Sequence, residues 1–171
     1  MDDNWHASAL NVRDRTRKIM AIHLIARDVW SALHESFNVP NVNVWYLYLE
    51  LDNNTWIRLD VVPGSGDDKL RCKIRLISTD RSYPPNVVYK RVFTINGTMT
   101  LDDLVAKAQS NGRQKYTVTN EGRGRRHWYT TFIHDFEKDN TISATKFDMS
   151  WFFPSKDQRE ESPIGEGTFL T

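Results

Sequence analysis

Residues Asn120–Phe136 read N-E-G-R-G-R-R-H-W-Y-T-T-F-I-H-D-F, a basic glycine loop that leads directly into an amphipathic segment. The apolar residues recur every three or four positions, the spacing of one buried helical stripe. They are Trp128, Tyr129, Phe132, Ile133 and Phe136. A helix start carries unpaired N–H groups and partial positive charge, so Arg125, Arg126 and His127 would make it favourable for an anion. The alternative is a glycine turn that begins a core helix, with the arginines in water, and both interpretations stay open here.

The overall composition restricts the class of protein. The 171 residues carry 23 basic and 22 acidic side chains, so no global field favours nucleic acid or a membrane surface as a partner. One cysteine excludes an internal disulfide and a cysteine-based zinc site. Because the chain start lacks a signal pattern and no apolar run reaches membrane-spanning length, we expect a cytoplasmic protein.

Two neighbouring segments, Val42–Leu51 and Thr55–Val62, give the clearest strand patterns. Turn-forming residues separate them, which predicts an antiparallel hairpin. Alternation gives the hairpin one apolar face. The other face is aromatic and charged, and carries Val44, Tyr46, Tyr48, Trp56, Arg58 and Asp60. That second face is ordinary surface if it meets water, and a pocket wall if something covers it.

The expected pairing of the hairpin places Tyr48 opposite Arg58 and Tyr46 opposite Asp60. Leu70–Leu76 alternates regularly and predicts another strand, with Cys72 facing the core rather than acting as a nucleophile.

The other segments differ in how clearly their sequence patterns indicate a strand or a helix. Val87–Ile95 predicts a further strand, and Thr100 is expected to cap a helix that ends near residues 111–112. Lys18–Val29 is almost wholly apolar, so its pattern does not separate a strand from a helix. His23 within it is interpreted as a hydrogen-bonded core histidine. Trp30–Phe37 predicts a short helical turn or a loop.

These patterns predict an α+β fold with an antiparallel sheet of about five strands packed against two or three helices. We expect a flexible segment over residues 1–16, a single domain over 17–153 and a C-terminal arm over 154–171. The aromatic C-terminal segment also leaves a homodimer open.

Several motifs resemble those of a family of small fungal proteins of unassigned function. They are Asn43-Val44-Trp45, the strand over 55–61, Gly112-Arg113-Gln114-Lys115-Tyr116, Gly124-Arg125-Arg126-His127-Trp128 and the closing P-I-G-E-G-T-F. The resemblance covers residues 18–171 and implies a circularly permuted papain-like scaffold, as in NlpC-like peptidases and lecithin:retinol acyltransferase-like enzymes. Such enzymes use a strand His and a Cys at a helix start, whose positions here hold Val44 and Arg125. Neither side chain can act as a base or nucleophile, so the resemblance excludes cysteine-hydrolase chemistry at these positions.

The same resemblance implies that the strand face bearing Val44 points at the start of the helix over 125–136. The aromatic and charged strand residues would then line a cavity opposite Arg125, His127 and Glu121. The resulting hypothesis is a cofactor-independent enzyme of fungal secondary metabolism that cyclises, isomerises or dehydrates a small organic molecule. Asp60 or His127 would transfer protons, and Arg58 would hold a carboxylate or stabilise an oxyanion.

The residues expected to bind the substrate are Tyr46, Tyr48, Trp56, Arg125, Glu121 and Val44. The alternative is a catalytically dead, hydrolase-like binding or interaction module. RNA binding through the arginine loop is a weaker hypothesis, because the net charge is close to zero. No metal site is expected, since His127 and His134 lie two helical turns apart. No cofactor is expected, because cyclisation, isomerisation and dehydration require none.

Overall fold

A computed structural model describes residues 4–27, 43–64, 68–143 and 147–170. Within these ranges the chain is α+β, as predicted: a six-stranded, mostly antiparallel sheet packs with two α-helices. The strands of the sheet are β1 (Trp5–Ala9), β2 (Ile19–Arg27), β3 (Val44–Leu51), β4 (Trp56–Pro63), β5 (Cys72–Thr79) and β6 (Val87–Thr94). The helices are α1 (Leu101–Ser110) and α2 (Arg125–Lys138).

Two short strand pairs accompany the large sheet. The first joins β7 (Tyr116–Thr117) to β10 (Thr168–Phe169), and the second joins β8 (Trp151–Ser155) to β9 (Gln158–Glu161). The C-terminal arm expected over 154–171 therefore contributes strands and returns to the body of the domain.

The sheet has the strand order β1-β5-β4-β3-β2-β6, and every pairing is antiparallel except β1 with β5. The predicted opposition of Tyr48 and Arg58 in the β3–β4 hairpin is confirmed. The predicted register is therefore the observed one; its paired residues end at Leu47–Leu59, one position short of Tyr46 and Asp60.

Helix α2 packs on the apolar face of the sheet. The predicted stripe is confirmed: Trp128, Tyr129, Phe132, Ile133 and Phe136 are all buried. They share one core with apolar side chains of β3, β4 and β5, among them Leu47, Leu49, Ile57, Leu59, Val61, Ile74 and Leu76. The Tyr129 hydroxyl also reaches the sheet backbone and accepts a hydrogen bond from the Val61 N–H at 3.2 Å. Helix and sheet are thus joined by both apolar packing and a buried polar contact.

Helix α1 begins with a capping box. Thr100 accepts from the Asp103 N–H at 3.2 Å, and the Asp103 carboxylate accepts from the Thr100 N–H at 2.9 Å. This reciprocal pair was predicted from the sequence and is confirmed.

The apolar run over Lys18–Val29, whose pattern did not separate a strand from a helix, contains the strand β2, which lies between β3 and β6. Side chains on both of its faces are buried, including Leu24 on the core face and Ile25 on the other. A strand covered on both faces loses the polar–apolar alternation that would identify it.

Part of the N-terminal segment forms a strand that was not predicted. Strand β1 lies within the segment expected to be flexible, pairs in parallel with β5, and buries Trp5. Its sequence, W-H-A-S-A, alternates over only five residues, and two of its three apolar positions are alanines, which are depleted in strands. The turn or loop predicted over Trp30–Phe37 lies outside the described residues.

Candidate functional site

The site residues predicted from the sequence fall into two groups on opposite faces of the sheet. Successive strand residues point to opposite faces, and the β4 residues Ile57, Leu59 and Val61 belong to the core that α2 covers. Arg58 and Asp60 therefore point away from α2. The expected cavity between the aromatic strand face and the start of α2 is a wrong prediction, because the sheet itself separates them.

The start of α2 is covered by the C-terminal arm. The Tyr116 hydroxyl donates to the Gly124 carbonyl at 2.7 Å and accepts from the Gly167 N–H at 3.0 Å. The Phe169 ring lies 4.6 Å from the Tyr116 ring and 5.7 Å from the His127 ring. His127, a predicted acid–base residue, is consequently a half-buried neighbour of the docked arm.

Arg126 holds the same arm through its guanidinium group. The group donates to the carbonyls of Met149, Ser162 and Pro163 at 2.7, 2.8 and 2.9 Å, and to the Ser162 hydroxyl at 3.1 Å. Because its donors are used on backbone and hydroxyl acceptors of the protein, we assign Arg126 a structural role.

The other two residues predicted near the helix start are exposed. Glu121 lies on a turn before α2, and Arg125 is the first residue of the helix. Burial raises the pKa of the Cys72 thiol to about 11, although the nearby charge of Arg125 acts in the opposite direction. The thiol is therefore protonated at neutral pH, which agrees with the core position expected for Cys72.

On the opposite face of the sheet, Asp60 lies at the centre of a charged cluster. Its Oδ2 atom accepts from Nε of Arg58 at 3.1 Å and from an amino group of Arg75 at 2.9 Å. The Arg58 guanidinium lies over the Tyr46 ring, 5.4 Å from its centre. We call these four residues the Asp60 cluster. Since Asp60 is only 1% exposed and is paired to two arginines, it orients Arg58 and is poorly placed to touch a ligand.

An open groove lies beside this cluster, between the sheet and the loop that joins β5 to β6. We name it the Tyr83 groove; its volume is about 730 Å³. Its described lining residues are Arg27, Tyr48, Trp56, Arg58, Asp80, Arg81, Ser82, Tyr83, Pro84 and Pro85. Three residues predicted to bind or act on a substrate, Tyr48, Trp56 and Arg58, are therefore brought together. Tyr46 lies behind Arg58, and Val44 is half-buried at the start of β3.

His23 and Glu50 form a pair directly behind the groove wall. His23 Nε2 lies 2.9 Å from Glu50 Oε2. The imidazole meets the Trp56 ring edge-on at 4.9 Å and lies 5.8 Å from the Tyr83 ring. Burial lowers the pKa of His23 below its ordinary 6.5, while the hydrogen bond to Glu50 acts in the opposite direction. His23 is thus the buried, hydrogen-bonded histidine expected from the sequence, but one that lies beside a groove.

Sequence reasoning missed the contribution of the loop before β6. Tyr83-Pro84-Pro85 lies between the two strands predicted over 70–76 and 87–95, and Tyr83 closes one side of the groove. The Tyr83 hydroxyl is also hydrogen-bonded to the Lys90 ammonium at 2.9 Å. An aromatic residue followed by two prolines is a rigid loop with a large contact surface, and that was the available signal.

Comparison with known proteins gives a family model that matches most of the chain. The family model described as Domain of unknown function (DUF7770) matches residues 22–170. The chain belongs to this family. No curated protein and no solved structure matched it. DUF7770 membership agrees with the expected membership of a family of unassigned function, whereas a papain-like relationship and a fungal setting gain no support from the comparisons.

Two further observations on the DUF7770 chain concern metal ligands and membrane-spanning helices. Among the described residues, no group of three or more His, Cys, Asp or Glu side chains is arranged to hold a metal ion. No helix in the described ranges is long and apolar enough to cross a membrane.

Proposed function

We propose that this DUF7770 protein binds a small organic molecule with a flat ring in the Tyr83 groove. The observation that carries the proposal is the convergence of the Tyr48, Trp56 and Tyr83 side chains on one open groove. Ligand sites combine apolar and aromatic walls with a few placed polar groups, and their volumes run from about 300 to 1,000 Å³.

The aromatic wall is held in place before any ligand enters. The Tyr83 ring meets the Tyr48 and Trp56 rings nearly at right angles, each at 6.1 Å between centres. Tyr48 is 4% exposed, so its ring is fixed by its neighbours. Rigid rings lose little entropy on binding, which favours a flat aromatic ligand over a flexible chain.

The binding proposal predicts a localised response to a neutral flat probe. Titration with 2-naphthamide, followed by NMR of the tryptophan indole N–H groups, should shift the Trp56 signal, and Trp56→Leu should weaken binding at least about tenfold. Trp151→Leu is the matched control, because Trp151 lies on β8 and does not line the groove. A shift confined to other tryptophans, or equal binding by both variants, would contradict the proposal.

A cofactor-independent acid–base enzyme is our second candidate. It is favoured by the contact of the His23–Glu50 pair with two rings that line the groove. A histidine whose pKa lies below 6.5 is neutral at physiological pH. Because its Nε2 then donates to Glu50, the lone pair that could accept a proton is on Nδ1, a buried atom without a hydrogen-bond partner among the described residues, and proton transfer requires that a substrate reach this atom. This proposal retains Arg58 as a substrate-binding residue and replaces Asp60 and His127 with His23 as the proton-transfer residue. Cyclisation, isomerisation and dehydration remain the proposed reaction types.

The enzyme proposal is testable in a producing organism. If the gene lies in a fungal biosynthetic cluster, deleting it should accumulate an intermediate, and a His23→Gln gene should fail to restore the product. Glutamine keeps a hydrogen-bonding group near Glu50 but cannot transfer a proton at neutral pH. A His134→Gln gene should restore the product fully, since His134 lies on the exposed surface of α2. If the His23→Gln gene restored the product fully, the acid–base role of His23 would be contradicted, while the binding proposal would stand.

A degenerate papain-like scaffold also remains a proposal. Its support is the helix α2, which begins near the sheet with Arg125 close enough for its charge to influence Cys72. In that interpretation the original site at the helix start has lost its chemistry and is covered by the arm, and the Tyr83 groove is a separate binding site.

A further inference from the structure

We infer that the ligand of the Tyr83 groove is an organic anion, with an aromatic carboxylate as the best-fitting class. This inference rests on the proposed binding function and adds the charge of the ligand. It depends on the guanidinium groups that border the aromatic wall.

Arg58 presents a guanidinium group that is already oriented. Its Nε and one amino group both contact Asp60 Oδ2, at 3.1 and 3.0 Å, and its Tyr48 neighbour contributes a further side-chain hydrogen bond. The side chain is nevertheless 31% exposed, so part of it stays open to the groove. A guanidinium held in this way binds a carboxylate with little further loss of side-chain entropy.

Among the described residues that line the groove, positive charges outnumber negative ones. Arg27, Arg58 and Arg81 line it, against Asp80 as the one carboxylate among its described lining residues. Arg27 donates through Nε to the Asn86 side-chain oxygen at 3.0 Å, and this partner is neutral. Asp60 is shared between Arg58 and Arg75, so one buried carboxylate serves two guanidinium groups. An anionic ligand would offset the excess positive charge.

The aromatic rings and the guanidinium groups of the groove together indicate the chemical class of the ligand. Flat rings at Trp56 and Tyr83 suit a planar ligand, and guanidinium nitrogens suit a planar, two-oxygen anion. An aromatic carboxylate presents both features within the width of one ring system. A cationic ligand would meet three arginines and is disfavoured.

The test compares probes that share a ring and differ in charge: 2-naphthoate, 2-naphthamide and 2-naphthylmethylammonium. Calorimetric or NMR titration should give a dissociation constant for 2-naphthoate about tenfold below that of the amide, with the ammonium weakest. The advantage of the carboxylate should shrink as salt is raised, because partly exposed charges are screened. Comparable affinity for carboxylate and amide would overturn the inference while leaving the binding proposal standing.

Two variants make the comparison specific. Arg58→Met should remove the preference for 2-naphthoate and leave 2-naphthamide binding within about twofold, because methionine retains the apolar stem. Arg75→Met is the matched control, since Arg75 also pairs with Asp60 but does not line the groove, and it should keep the preference. A preference that survives Arg58→Met would contradict the inference. If none of the three probes perturbs Trp56, both the inference and the proposed function fail.

Discussion

Gly167→Ala should lower the free energy of unfolding by about 3 kcal/mol, near the upper end of the cost of overpacking. A Cβ atom at this position would lie 2.2 Å from the Thr117 carbonyl oxygen and 2.4 Å from the Tyr116 hydroxyl oxygen. Backbone must therefore move, and the hydrogen bond from the Gly167 N–H to Tyr116 would be lost. Chemical denaturation followed by tryptophan fluorescence measures the change.

Gly122→Ala is the control for this variant. Gly122 has a φ of +74°, but a Cβ atom there meets nothing within 4 Å. Its cost should be limited to backbone strain of about 1 kcal/mol. If Gly167→Ala proves no more destabilising than Gly122→Ala, the C-terminal arm does not dock on the start of α2 as described.

Asp60→Asn should lower the free energy of unfolding by about 2 kcal/mol, because it leaves Arg58 and Arg75 adjacent without their shared carboxylate. The value lies below the usual cost of breaking a buried pair, since the two arginine side chains are 31% and 45% exposed. The sequence alone suggested a proton-transfer role for Asp60, which by itself implies no loss of stability on substitution. The buried cluster reverses that expectation.

The control is Asp80→Asn, which removes an exposed carboxylate from the same face of the protein. It should change stability by no more than about 0.5 kcal/mol. Thermal unfolding distinguishes the two, because about 2 kcal/mol corresponds to a loss of about 4–8 °C in a domain of this size. Equal melting temperatures for the two variants would show that Asp60 does not organise the cluster.

Local patterns in this sequence predicted both described α-helices and four of the six strands of the large sheet. The alternation over Val42–Leu51, the capping residues Thr100 and Asp103, and the apolar stripe of α2 each report on structure within a few residues. The β1 strand escaped prediction because its pairing with β5 depends on contacts about 70 residues away in sequence. Strand β2 was ambiguous because an inner strand buried on both faces carries no alternation.

The candidate site was predicted only in part, since a site depends on which faces meet. Strand alternation correctly grouped Tyr48, Trp56 and Arg58, but it gave no information about which face α2 would cover. The resemblance suggested the wrong face, and so joined His127 to residues on the other side of the sheet. Tyr83 and His23 contribute from a loop and a neighbouring strand, and their approach to Trp56 follows from the tertiary fold alone.

The most direct measurement of the central claim is a crystal structure of the protein with 2-naphthoate. We predict density for the ring beside Trp56 and Tyr83, with the carboxylate within hydrogen-bonding distance of the Arg58 guanidinium. The same soak with Trp56→Leu crystals should leave the groove without the ligand. If the ligand bound instead at the start of α2, near Arg125 and His127, the assignment of the Tyr83 groove as the ligand site would be wrong.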